Sequence, residues 1–286
     1  MSQSQGFLSD TLSNSIANIR RDFAPWFKAA SAFNNLGMQV LPAVKADRAN
    51  NQQLVAAVLF GRTLTSFQAA YLLAERGMLA DARTIARAAA ETAIILCALN
   101  RDAAVCDLLI QRHDFHHRRY INAWLNDPQA VAEMSREDVA RLNAVIDEID
   151  RRNPSIAQKT SDPVNVWTLA QKAGVTPLYN VVYRGASGDA AHTSPDALNR
   201  HVKADAGGNI LGLKVGPETG DLAATLFDVM SVLGHAVHAV LELFQLQEFR
   251  NDLDRCIASS KALGVPADYK PGARGSGDVA SGKPKG

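Results

Sequence analysis

The chain has 286 residues, and 30 Lys and Arg against 29 Asp and Glu leave a formal net charge of +1. At about 100–200 residues per domain, that length allows one large domain or two small ones. A 47% hydrophobic share with so little net charge excludes a disordered chain, a polybasic nucleic-acid tail and a highly acidic solvating protein.

Aromatic residues make up only 6% of the chain while Ala and Leu abound, which favours helix over strand. The three cysteines, Cys97, Cys106 and Cys256, are an odd number spread along the chain and argue against a disulfide framework. The opening residues carry no basic stretch followed by an unbroken apolar run, so no secretory signal is expected. Residues 88–99 are apolar but too short to span a bilayer. Residues 223–244 are long enough, yet they hold Asp228, His235, His238 and Glu242. A helix inside a cytoplasmic protein is expected there, with no membrane contact.

Residues 8–36 read as helical, with Pro25 forcing a break or a fresh start after Ala24. Apolar residues recur at helical spacing over 51–75, and Gly77 then supplies a left-handed turn. Residues 78–99 form the next helix, running back beside the first because the connection is so short. A third helix over 102–125 ends at Asp127-Pro128, and Ser135 caps another that runs to about Arg151. Residues 153–163 are a polar, turn-rich linker. A short helix near 164–173 follows, then Thr176-Pro177 as a cap and first turn. Gly185 and Gly188 predict a turn over 184–191 that feeds a short helix, and Ser194-Pro195-Asp196 repeats the helix-start chemistry. HVKAD and NILGLKV around AGG predict a hairpin near 201–215. Residues 221–263 read as one long helix.

The fold class expected is therefore all-α, a helical bundle with one small β-hairpin insertion. N-terminal helices occupy 1–50, the bundle 51–263, and a Gly-, Pro- and Lys-rich tail over 264–286 is expected to be disordered. The stretch AAYLLAERGMLADARTIARAA resembles one tetratricopeptide-type hairpin. No second copy follows at a period near 34 residues, which rules out a solenoid.

Four sets of residues could carry chemistry. Arg83, Arg87 and Glu91 are spaced by four on one helix face, and Glu91 lies in so apolar a run that burial nearly all round is expected, with Arg87 as its counter-ion. The pair either fixes helix register or positions a partner side chain or substrate. Arg112 to Tyr120 contains His113-Asp114-x-x-His117, close to a zinc-protease pattern, and also Arg-x4-His from Arg112 to His117. A solvated basic face, or one that contacts phosphate, is the default there. Tyr179-x3-Tyr183-Arg184-x2-Ser187-x4-His192 gathers two phenols, a guanidinium, a hydroxyl and an imidazole. Its glycines are expected to let those side chains converge for phosphate handling, or to form a structural hydrogen-bond cluster. His235, His238 and Glu242 share a face of the last helix and could bind a metal with a ligand from elsewhere, though satisfied core histidines are the expectation. The phosphate-cradling glycine loops, a CxxC pair and a nucleophile elbow have no match in the sequence, so neither cofactor nor metal is expected.

The order of features resembles a bacterial all-helical family known only as a domain of unknown function, over roughly residues 53–246. That resemblance implies Arg87, Glu91, Tyr183, Ser187 and His192 as its shared residues and no established activity. A more distant similarity is to the HEPN superfamily of helical bundles, many of them ribonucleases whose Arg-polar-x4-His motif is assembled across a dimer. Here Arg184 and His192 depart from that spacing. The expected function is a non-enzymatic interaction or sensor module, with a HEPN-like metal-independent ribonuclease as the alternative. In that alternative Arg184 holds the phosphate, His192 is the base, and Arg87, Glu91, Tyr183 and Ser187 complete the site. RNA and a second copy of the chain stand as candidate partners.

Overall fold

Two long helices joined through a left-handed glycine organise the chain. The computed structural model describes residues 6–10, 12–190, 198–205 and 207–266. Helix α3 (Asn51–Glu75) starts where the Asn50 side chain accepts a hydrogen bond from Gln53 N at 3.1 Å. It ends as Gly77 takes φ +72 and Met78 N donates back to Leu73 O at 2.9 Å, the closure that glycine favours. Helix α4 (Leu79–Arg101) then returns along α3. Gly77 is required twice over, because a Cβ there would lie 2.7 Å from Glu218 N and 2.8 Å from Pro217.

Before this hairpin, α1 (Leu12–Asp22) and α2 (Ala24–Val40) are separated where Pro25 occupies the first turn of α2. After it come α5 (Val105–Leu125), a short α6 (Pro128–Glu133) capped by Asp127, and α7 (Arg136–Arg152). The Ser135 hydroxyl caps α7 by accepting from Asp138 N at 3.1 Å. Helix α8 (Val166–Ala173) is capped by Asn165 and closed by Gly174 at φ +71. A helical path follows through a single turn, α9 (Thr176–Leu178), a π turn (Tyr179–Tyr183) and α10 (Ser187–Ala190). Strands β1 (Val202–Ala204) and β2 (Ile210–Leu213) pair antiparallel, with Val202 opposite Leu213. Helices α11 (Leu222–Leu243) and α12 (Arg250–Ala262) complete the fold, which is all-α with one small β-hairpin.

One apolar core takes side chains from α1 to α5, from α8 through the π turn, and from α11 and α12. Residues 92–99 of α4 are buried on every side because α3, α8 and α11 each pack against it. Helix α11 is long and apolar enough to cross a membrane by length and composition, yet 78% of its most apolar window is buried inside the fold. A second small cluster, Phe115, Ile149 and Ile156, joins α5 to α7 and to the segment after α7.

Three local expectations change. The helix expected over 221–263 is broken. Gln245 adopts φ 57 and Leu246 N returns to Leu241 O at 3.0 Å, which closes α11 and lets Leu246 and Phe249 pack on the core. Thr176 is not a cap, since Val175 takes that place and Thr176 is already helical. Pro177 then falls second in the turn, where a missing N–H also costs no hydrogen bond. The linker expected over 153–163 is anchored rather than free, with Ile156 only 2% exposed. The helix start at Ser194-Pro195-Asp196 and the tail from residue 267 lie outside the described residues.

Candidate functional site

Arg83, Arg87 and Glu91 form a stripe along α4, one turn apart, and the run from Thr176 to Ala190 lies against it. A π turn is wider than an α turn, so residues four apart come nearly above one another. Tyr179 and Tyr183 accordingly stack with centroids 5.1 Å apart and planes at 22°, and Trp167 from α8 extends the ladder at 5.1 Å from Tyr179. Ser187 continues the same face. Arg87 Nε donates to Ser187 Oγ at 3.1 Å and Nη2 donates to the Tyr183 hydroxyl at 3.1 Å. Its guanidinium carbon lies 4.4 Å from the Tyr183 ring centroid, a cation–π distance. Ser187 Oγ donates onward to Tyr183 O at 2.6 Å, and Arg83 Nη2 donates to Gly185 O at 3.1 Å. Burial pushes the Tyr183 phenol above its ordinary pKa, and the Glu91 charge adds to the rise while Arg87 opposes it.

Glu91 does not pair with Arg87. Its Oε1 is 2.7 Å from Arg112 Nη1 on α5. The connection between α4 and α5 is short, so α5 folds back and brings Arg112 level with Glu91. Arg87 meanwhile turns Nε and Nη2 to Ser187 and Tyr183. Nor is Glu91 buried nearly all round: its side chain is 19% exposed, and complete burial starts one residue later at Thr92. Arg112 Nε also donates to Asp162 Oδ2 at 3.0 Å, an oxygen that His116 Nε2 approaches at 3.1 Å. Asp162 Oδ1 accepts from Val164 N at 2.8 Å. Burial alone would lower the Arg112 pKa, but the hydrogen bonds and charges of Glu91 and Asp162 prevail and raise it.

The convergence expected at Tyr183, Arg184, Ser187 and His192 is met only in part. Tyr183 and Ser187 face α4, whereas Arg184, one residue further round the helical path, is exposed. Gly185 keeps a right-handed helical backbone instead of making a sharp turn. The π turn, not a glycine bend, brings the phenols and hydroxyl onto one face. His192 lies outside the described residues. Sequence reasoning missed Asp162 as the carboxylate that fastens Arg112, and its only signal was an acid in a turn-rich stretch facing a basic helix.

The outer face of α5 is a separate feature. An open groove of about 500 Å³ is lined by Leu109, Arg112, His113, His116, His117 and Tyr120. The His113 and His117 rings lie 5.6 Å apart. Asp114, between them in sequence, faces the other way. It is 0% exposed and accepts hydrogen bonds from Arg152 and Asn153, so the zinc-protease-like pattern has no carboxylate on the histidine side. Arg118 holds Asp150 through two hydrogen bonds at 2.8 and 3.1 Å. A smaller hollow of about 330 Å³ also has Tyr120 in its wall, with Trp124 beside it.

On α11, Glu242 accepts from Asn100 Nδ2 at 2.8 Å and lies 3.4 Å from His238, 3.6 Å from Arg101 and 3.9 Å from Arg250. His235 Nδ1 is 2.8 Å from Ser231 O, one helical turn back. Neither histidine is fully buried; both sit at the edge of the core with partners already in place. Burial pushes the Cys97 thiol up to about 12. No group of three His, Cys, Asp or Glu side chains is placed to hold a metal ion among the described residues.

Among known families, one described as a family of unknown function (DUF5677) matches residues 53–210. The match runs from α3 to the start of β2 and stops short of α11, which the resemblance read from the sequence had included. No curated protein and no solved structure matches the chain.

Proposed function

The chain belongs to this family of unknown function, and we propose that it acts as a non-enzymatic interaction or sensor module in the cytoplasm. One observation carries the reading: the charged stripe of α4 is answered along its whole length from within the protein. Arg83 meets Gly185 O, Arg87 meets Tyr183 and Ser187, and Glu91 meets Arg112. A general acid, base or phosphate clamp turns its donors or lone pairs toward a substrate, and here Arg83, Arg87 and Glu91 each turn at least one toward joining α4 to α5 and to the 176–190 run. The three cysteines are all free thiols, in keeping with a reducing compartment.

A second reading, a bacterial HEPN-like metal-independent ribonuclease of the phage-defence or toxin type, is favoured by the exposure of Arg184. An exposed guanidinium is open to a phosphate. His192 would then remove the ribose 2′-hydroxyl proton as that oxygen attacks phosphorus and the 5′-oxygen leaves. Incubation of the full chain with mixed RNA, without added metal, separates the two. Intact RNA is the expected result. Fragments ending in 2′,3′-cyclic phosphate, absent with His192→Ala, would overturn the module reading.

A further inference from the structure

The β1–β2 hairpin carries its apolar residues on the outside. Val202 lies opposite Leu213, Lys203 opposite Gly212 and Ala204 opposite Ile210, so Leu211 is an extra residue and β2 carries a bulge there. The ladder runs one rung beyond each end, with Lys214 N donating to His201 O at 2.7 Å and Asp205 N to Asn209 O at 3.0 Å. Side chains alternate along a strand, which puts Val202 and Ala204 on one face with the residues opposite them, Leu213 and Ile210. Counting along β2 from Leu213 adds Leu211 and Val215 to the same face. His201, Lys203 and Asp205 fall on the reverse face with Lys214. One side of the hairpin is therefore apolar and uncharged, and it is uncovered: Ile210, Leu211, Leu213 and Val215 stand 72, 61, 81 and 70% exposed.

Two strands alone are only marginally stable in water, and a hairpin gains independent stability when further strands or a helix cover its apolar face. Here β1 and β2 pack chiefly on each other. The hairpin is fastened at its base, where Arg200 meets Glu218 and Asp221 and Lys214 meets Glu218. The turn Gly6–Leu8 reaches its rim: a Cβ on Gly6 would lie 3.6 Å from Val215 Cγ1, and Leu8, 90% exposed, extends the apolar surface. The chain has no further run to match this face. Residues 1–5, 191–197 and 267–286, which lie outside the described residues, hold only Met1, Tyr269 and Val279 as large apolar side chains.

We infer that the occupant of this face is the same face of a second copy of the chain, the two hairpins packing sheet on sheet across a twofold axis. An uncharged apolar surface is complemented by another of its kind, and a twofold dimer uses one patch twice. Sheets packed this way lie about 10 Å apart, so Leu211 and Leu213 interdigitate with their counterparts while Lys203 and Lys214 stay in water on the outer sides. Packing of faces, rather than pairing of edges, follows from the bulge and the two lysines, which blunt an edge. The hairpin and the Gly6–Leu8 turn fall short of the about 20–30 residues a side of a standard interface. The dimer is accordingly weak and forms as concentration rises. This inference goes beyond the module reading and holds whether or not the chain acts on RNA.

The test is sedimentation equilibrium of the full chain from about 1 μM to about 500 μM. The mass should rise with concentration from 30.7 kDa towards twice that value and stop there. Leu213→Asp, which would bury an unpaired charge in the contact, should weaken the association about tenfold or more. Val58→Asp, at an apolar residue of α3 that is 71% exposed, should leave it unchanged. Both side chains are exposed, and unchanged thermal melting of the dilute variants confirms that they fold. Hydrogen exchange in the hairpin should slow as the dimer forms. A chain that stays monomeric overturns the inference and leaves the face to a different protein. A dimer as tight with Leu213→Asp as without it, or one broken by Val58→Asp instead, also overturns it. So does growth past the dimer, because a twofold contact closes on itself.

Discussion

Arg112 Nη1 lies 2.7 Å from Glu91 Oε1, and the same guanidinium donates through Nε to Asp162 Oδ2 at 3.0 Å. One side chain of α5 thus ties the middle of α4 to the segment that leads into α8. Both partners of the first pair are largely shielded, at 28% and 19% side-chain exposure, so the pair is worth more than a surface bridge. Glu91→Gln should cost about 1–2 kcal/mol, and a thermodynamic cycle with Arg112→Met should show coupling of about 1 kcal/mol. Additive effects in urea titrations would show that the two groups do not work as a pair.

Two glycines should respond in opposite directions to alanine. Gly77 has φ +72 and backbone atoms 2.7–2.8 Å from where a Cβ would sit, so Gly77→Ala should destabilise by well over about 1 kcal/mol. Gly61 lies within α3 with nothing within 4 Å of an added Cβ, so Gly61→Ala should stabilise by about 0.5–1 kcal/mol. Melting temperatures of the two variants on either side of the parent protein are the check.

Acid should loosen the α5–α7 contact first. Burial alone would raise the Asp114 carboxyl, but hydrogen bonds from Arg152 and Asn153 and the Arg152 charge outweigh it and hold the carboxyl below its ordinary range. A carboxylate depressed in the folded state contributes stability that is fully present above its unfolded pKa of about 3.9 and is lost as pH falls through the lower folded value. Hydrogen exchange of α5 and α7 should therefore rise relative to α3 and α4 once pH drops below about 4. Asp114→Asn should remove that pH dependence. Equal loss of protection in all four helices would contradict the assignment.

Much of the bundle was legible because helix ends are local chemistry. Ser135 caps α7, Gly77 closes α3 and Pro25 opens α2. Each signal sits within a turn of the event it causes. Ion pairing was less legible. The spacing of Arg87 and Glu91 correctly places them on one helix face, but nothing in that spacing says which neighbouring helix will present a competing cation. Arg112 wins Glu91 through the α4–α5 fold-back, a tertiary fact. The break at Gln245 escaped notice for a similar reason. A glutamine in left-handed conformation has no composition signature, and it is held by the packing of Leu246 and Phe249. In the 176–190 run the residue types were legible and the mechanism was not: glycines suggested a bend, while the backbone solves the problem with a π turn.

The melting temperature of Arg87→Ala tests most directly whether the α4 stripe is a clamp. The variant loses two hydrogen bonds at 3.1 Å and the cation over the Tyr183 ring, leaving Tyr183 and Ser187 without their partner. The predicted result is a loss of about 1–3 kcal/mol, a fall of about 2–4 °C for each kcal/mol, with Tyr183→Phe falling less because the ring contact remains. An unchanged melting temperature in both variants would contradict the clamp and return Arg87 and Tyr183 to the pool of groups free to act on a substrate.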